Sequence, residues 1–219
     1  MFVIAASFPL ETMAQNQVYD PLPPPGSAYV RFVNATEKAL VLTTDFLAAQ
    51  PLGISPAQRV TSFTAVEKVT GRRLLLDIQV DGKGVKATLK AEPGSYVTVL
   101  IEADPEKGLV VVPIVDITEF NQSRARLSFY NATLNCASAS LVIDPDGPVV
   151  FPDVGVGAVK SRSVNPVVAK IHAACGGASW AAIPLEGMEA GAMYSVWMMG
   201  AGVQPQTFVT RDTTAKYKQ

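Results

Sequence analysis

One histidine, two cysteines and a formal net charge of −1 are the scarcest features of this 219-residue sequence. A zinc site draws three or four ligands from His, Cys and carboxylates, and His172 is not at ligand spacing from both Cys136 and Cys175. With 18 basic residues against 19 acidic ones, the chain lacks the electrostatic footprint that binds a nucleic-acid backbone. Charged residues make up only 17% of the sequence and hydrophobic ones 48%, so apolar material for a core is ample and composition argues against disorder. Yet no apolar run reaches the roughly 18 residues of a membrane span, which argues against a transmembrane helix in the mature chain. No Gly-x-Ser-x-Gly nucleophile elbow occurs, and no cofactor is implied.

Phe2 to Leu10 (FVIAASFPL) is a short apolar stretch, and Thr12-Met13-Ala14 puts small residues where a signal peptidase reads them. Residues 1–14 therefore read as the remnant of an export signal cut after Ala14, without the basic residues that usually open one. The alternative is a loose apolar N-terminus on a cytosolic protein. Residues 15–26, with Pro21 and Pro23 to Pro25, favour an extended segment able to dock a partner. In an oxidising compartment Cys136 and Cys175 would most simply pair; the other reading is two buried free thiols.

The chain contains a repeat. Residues 28–36 (AYVRFVNAT) and 125–133 (ARLSFYNAT) share Ala, Phe, Asn, Ala and Thr at an offset of 97. Ala28, Val30 and Phe32, like Ala125, Leu127 and Phe129, alternate as in a half-buried strand. A second match aligns Tyr96 in EPGSYVTVLI (92–101) with Tyr194 in EAGAMYSVWMM (189–199), with one residue inserted. A duplication of this period is too long for a solenoid and predicts two domains.

Strands are expected at 28–34, 39–44, 60–69, 73–80, 84–90, 96–102 and 109–115. In the second copy they are expected at 125–131, 138–143, 148–151, 156–163, 167–174, 179–183, 193–199 and 206–210. The pattern predicts an all-β protein: two tandem immunoglobulin-like β-sandwich domains, 27–113 and 124–210, joined by a short linker at 114–123 and followed by a tail at 211–219. Such a linker restricts the domains' relative motion without fixing it. Asp81-Gly82 marks a hairpin. Asp144-Pro145-Asp146-Gly147 marks a type I turn, and Phe46 to Gln50 one helical turn.

Several residues invite a chemical reading. His172 is the sole conventional general base, yet no nucleophile is marked for it; an ordinary polar-face histidine is the simpler reading. Tyr96 and Tyr194 each follow a Glu-x-Gly turn, as sugar-stacking platforms or, more simply, as tyrosine corners bonding back to the turn. Trp180 and Trp197 would stack on sugars if exposed, but tryptophan is usually buried. Lys86, Thr88 and Lys90, with Arg72-Arg73, suit either a polyanion or an edge strand guarded by lysines. Asn34-Ala-Thr and Asn131-Ala-Thr match glycosylation sequons, but their duplication points to asparagines that end a strand and bond a turn.

One stretch is more specific. Tyr19 to Ala35 reads YDPLPPPGSAYVRFVNA. It resembles the start of the mature AlgF family, periplasmic alginate O-acetylation proteins that open on Tyr-x-Pro-x-x-Pro-x-Gly-Ser-Ala, then an aromatic, Val, Arg and shortly Asn-Ala. The matching residues are Tyr19, Pro21, Pro24, Gly26, Ser27, Ala28, Tyr29, Val30, Arg31, Asn34 and Ala35. The resemblance implies a periplasmic, non-catalytic accessory protein, an adaptor or acetyl relay, for O-acetylation of an exopolysaccharide such as alginate. Its partners would be a membrane O-acyltransferase and a periplasmic polysaccharide acetyltransferase, with an anionic polysaccharide as a further candidate. Tyr19, Pro21, Pro24 and Arg31 are then the candidate partner-binding residues. The Gly-Asp-Ser-like and Asp-x-x-His-like motifs of the enzymes in such systems are missing, and Ala169 stands three residues before His172. The alternative is a secreted polysaccharide-binding β-sandwich module with no role in acetylation.

Overall fold

The alternating strands have two faces, and in the longest of them both faces are covered. The computed structural model describes residues 22–117, 119, 121–200 and 205–215. It is all-β, as the sequence predicts, apart from one helical turn among the described residues. The N-terminal half comprises β1 (Ala28–Asn34), β2 (Leu40–Thr44), β3 (Gln50–Leu52), α1 (Pro56–Arg59), β4 (Thr64–Val66), β5 (Leu74–Val80), β6 (Lys83–Leu89), β7 (Tyr96–Asp104) and β8 (Gly108–Asp116). The C-terminal half comprises β9 (Ala125–Ala132), β10 (Ser138–Ile143), β11 (Val149–Gly155), β12 (Ala158–Val164) and β13 (Ala169–Cys175). It continues with β14 (Ala178–Ser179), β15 (Ile183–Leu185), β16 (Met193–Met199) and β17 (Gln206–Asp212).

Four sheets result, with strand orders β4-β1-β7-β8, β3-β2-β5-β6, β12-β9-β16-β17 and β11-β10-β13-β14, with β15 also paired to β13. The duplication is visible in the pairing. β1 runs parallel to β7, and β9 runs parallel to β16. Arg31 sits opposite Thr98, and Ser128 opposite Ser195, so the offset of 97 holds through both strands. No insertion is needed. Tyr96 therefore corresponds to Met193 and Tyr194 to Val97, which corrects the tyrosine alignment made from the sequence.

Ala28, Val30 and Phe32 join Val97, Val99 and Ile101 in a core closed by Leu42, Leu76 and Ile78 of the facing sheet. Leu127, Phe129, Val196 and Met198 do the same in the second half against Leu141, Phe151 and Ile171. The opposite faces of these strands meet each other. Val33, Ala35, Leu100 and Ile114 pack on Tyr130, Ala132, Trp197, Met199 and Phe208 in a third apolar layer. So β1, β7, β9 and β16 are buried on both faces, as parallel strands usually are, and the half-buried reading of β1 and β9 falls. The two halves are fixed against each other by this layer, where the linker alone suggested freedom. A parallel bridge between Phe63 and Thr214 ties the end of the chain to the N-terminal half.

Local chemistry accounts for the smaller departures. Ile114 is buried in the third layer and β8 runs on to Asp116, so residues 114–116 are strand and not linker. β17 likewise runs past 210 to Asp212. The expected helical turn at Phe46 is a bend in which Thr44 Oγ1 accepts from the amides of Phe46 (3.2 Å) and Leu47 (2.8 Å). The helical turn instead starts at Pro56, whose fixed φ suits a first helical position. The expected strand at 60–69 divides into a Val60 bridge to Val33 and β4. The Asp81-Gly82 hairpin forms as expected, with Asp81 at φ 49° and Gly82 at φ 73°. At 144–147 the Gly147 amide donates to Ile143 O at 2.9 Å, a turn one residue longer than type I, and the Asp144–Pro145 peptide is cis.

Candidate functional site

The layer between the halves is apolar except at its centre, where Arg31 lies 1% exposed. Strand alternation puts it there: Tyr29, Arg31 and Val33 share the face of β1 that turns away from its own core. Its guanidinium sits over three aromatic rings, 4.4 Å from the centroid of Phe63, 4.9 Å from Trp197 and 5.3 Å from Tyr130. Nε donates to Thr98 Oγ1 at 2.8 Å, and Nη1 to Asp212 Oδ1 at 2.7 Å. Nη2 donates to Tyr130 Oη at 2.8 Å and Ser195 Oγ at 3.1 Å.

Each of those hydroxyls in turn donates a hydrogen bond to a carboxylate. Thr98 Oγ1 donates to Asp116 Oδ2 and Ser195 Oγ to Asp212 Oδ2, each at 2.7 Å, and Tyr130 Oη donates to Asp116 Oδ1. Thr98–Asp116 and Ser195–Asp212 are copies of one arrangement at the duplicated positions, since Asp116 faces Tyr96 across its hairpin as Asp212 faces Met193. The copies differ where the halves specialise: Arg31 matches Ser128, and Tyr130 matches Val33. One arginine therefore serves both carboxylate pairs.

The electrostatics follow from this count. Burial alone would push the Arg31 pKa down, but Asp212, Tyr130 and Asp116 more than reverse it and hold the guanidinium charged. Burial pushes Tyr130 upward despite Arg31, so the phenol keeps its proton. Burial also raises Asp116, against the pull of Arg31 and the two hydroxyl donors. Thr98, Tyr130 and Ser195 are donors to carboxylates and acceptors from an arginine.

Arg31, one of the four candidate partner-binding residues, is an internal clamp in this structure. Tyr19 and Pro21 lie outside the described residues. Pro24 is half-buried, and its carbonyl accepts from Ser27 N at 2.9 Å, which turns the chain into β1. Cys136 and Cys175 form a disulfide that joins the start of β10 to the end of β13. His172 Nδ1 lies 3.3 Å from Asp144 Oδ1, at an angle that makes no hydrogen bond.

Tyr194 is a tyrosine corner: its hydroxyl donates to Gly187 O and accepts from Glu189 N, both at 3.0 Å. Tyr96 faces the other way and packs between Tyr29 and Phe63, at 5.0 and 5.1 Å. Trp197 is fully buried and stacked on Tyr130 at 4.2 Å, and Trp180 packs against the second core. Lys86 and Thr88 lie on β6, an edge strand.

Asn34 and Asn131 are both fully buried. Asn34 Nδ2 donates to Lys38 O (2.9 Å) and Gly53 O (3.0 Å), and Asn131 Nδ2 to Cys136 O (2.7 Å) and Val154 O (2.9 Å). They hold turns, as their duplication suggested, and are closed to glycosylation in the folded protein.

Beyond the clamp the two Asn-Ala-Thr turns face each other across a cleft of about 150 Å³. Ala35, Thr36, Ala132 and Thr133 line it, with Gly200 and Glu102. Glu102 is 3% exposed, and its Oε1 has no hydrogen-bond partner. Burial raises its pKa, and Asp104 adds to the rise. Sequence reading missed Glu102 and the clamp because both depend on the packing of one half against the other. The usable signal was the offset itself, which sets Glu102 against Met199 and Arg31 against Ser128.

Among the described residues no group of three His, Cys, Asp or Glu side chains could hold a metal ion, and no helix is long and apolar enough to cross a membrane. Comparison with protein-family models and with the curated proteins finds no match to this chain.

Proposed function

We propose that this chain is a periplasmic, non-catalytic accessory protein for O-acetylation of a secreted exopolysaccharide such as alginate. It acts as an adaptor or acetyl relay between a membrane O-acyltransferase and periplasmic acetyltransferases. The observation that carries this reading is the Tyr19–Ala35 segment with its resemblance to the AlgF family. The clamp is consistent with it: its hydroxyl, phenol and carboxylate groups are spent on joining the halves. The repeated strand orders β4-β1-β7-β8 and β12-β9-β16-β17 support two duplicated immunoglobulin-like sandwich units. With Arg31 internal, the partner-facing part of the segment is Tyr19, Pro21 and Pro24.

The test is on the product. Deleting the gene in its host should leave polymer yield normal and remove its acetyl groups. Normal acetyl content on normal polymer would overturn the reading. Removal of residues 15–26 should weaken capture of the acetyltransferase.

A polysaccharide-binding module is the second reading. An open groove of about 620 Å³ on the outer face of β2, β5 and β6 favours it, lined by Thr43, Asp77, Lys86 and Thr88. Calorimetry with alginate or cellulose oligomers tests it, and no heat would dismiss it.

A further inference from the structure

We propose that the cleft between the two Asn-Ala-Thr turns is a binding site for a primary ammonium group on a short apolar stem, with the Glu102 carboxylate as its anchor. The site stands independently of the acetylation reading. Its first support is the carboxylate itself. Glu102 belongs to the row Tyr96, Thr98, Leu100 and Glu102 that faces the second half. The matching row there is Met193, Ser195, Trp197 and Met199, so an apolar methionine serves where Glu102 stands. A carboxylate in that place with one oxygen, Oε1, buried and unpartnered costs stability.

Among the described residues no cation pairs with Glu102. Lys38 lines the cleft, but its ammonium is turned to Asp81 in an exposed pair, and Glu37 acts on the buried Arg59. The charge nearest Glu102 in effect is Asp104, another acid. A bound cation would therefore meet an unmatched negative group in a poorly hydrated place, where such a contact is strongest. A compact ammonium fits better than a planar guanidinium, which needs two facing acceptors.

The walls supply the second part of the specificity. Ala35, Val80, Ala103, Leu109, Ala132 and Leu134 are apolar and come from both halves. A cavity of about 150 Å³ admits a chain of a few carbons and little more. Gly200 also lines the cleft, at a φ of +123° that side chains rarely adopt and with only 3.1 Å between the place of a Cβ and Glu37 Oε1. A free alkylamine and the side chain of a partner's lysine both carry this chemistry.

The experiment is a titration of the full chain with n-butylammonium chloride, followed by amide shifts of Ala35, Ala132 and Gly200 in NMR spectra. Saturable shifts at those amides are expected. Glu102→Met, which copies the residue of the other half, should weaken binding about tenfold or more. n-Butanol, the same stem without charge, should bind the wild-type protein correspondingly worse. Binding of butylammonium with rejection of Nα-acetyl-lysine methylamide assigns the site to a free amine. Binding of both assigns it to a lysine side chain as well. Absence of saturable shifts, butanol binding as tight as butylammonium, or undiminished binding by Glu102→Met would each overturn the proposal.

Discussion

Arg31 shows how much one side chain holds when it serves two halves. Replacing it with methionine leaves Asp116 and Asp212 buried without their cation. That loss should cost about 3–5 kcal/mol in urea unfolding, and adding Asp212→Asn should restore part of it. A cost below about 1 kcal/mol would mean the clamp carries little of the junction. Glu102 has the opposite sign. Its raised pKa means the folded state holds the proton more firmly than the unfolded chain, so its contribution is fully present below the ordinary value of 4.5 and is lost as pH rises through the folded value. Glu102→Met should therefore gain little over wild type in mild acid and about 1–3 kcal/mol near neutral pH, read from denaturation midpoints. The sequence placed Arg31 on the outward face of β1 correctly. It could not show that another sheet covers that face, because no periodicity in β1 encodes a partner 181 residues away at Asp212. Asn34 and Asn131 were legible for the converse reason: their partners lie within 4 to 23 residues along the chain.

Among the elements, the hairpin at Asp81-Gly82 and the duplicated strands were readable because local turn chemistry and alternation specify them. β4 and β14 were harder. Each is three residues or fewer, and its pairing rather than its composition makes it a strand. The tyrosine alignment failed on the same point, since similar letters near a turn outweighed a register that only the paired strands display. The disulfide belongs to this scale. It fastens β10 to β13, with Cys136 itself in the second core. For a separation of 39 residues, loop-closure entropy gives about 3–4 kcal/mol. Reduction should lower the melting temperature accordingly, and hydrogen exchange should quicken first in β10, β13 and β14. Unchanged exchange there after reduction would show that strand pairing alone holds the sheet.

At the scale of the molecule, two repeats that the sequence separates are joined by a core of their own. Trp197 is its largest wholly buried side chain, stacked on Tyr130 and donating to Thr210 Oγ1 at 2.9 Å. Wild-type protein should unfold in one transition, with tryptophan fluorescence and circular dichroism coincident. Trp197→Ala should cost about 3–5 kcal/mol and separate the halves into two transitions. Two transitions already present in the wild type would refute the shared core as a source of cooperativity.

The pairing of Arg31 with Asp212 also sets a calendar for biosynthesis. β1 leaves the ribosome first and β17 last, yet the outer face of β1 is complete only when both are present. Until β17 emerges Arg31 lacks Asp212 and the layer around Val33 lacks Phe208, and contacts this distant in sequence form slowly. Nascent chains halted before residue 206 should stay open to protease across β1 to β8, and full-length chains should close in both halves together. A protein built this way reaches its working shape only after β17 has been delivered.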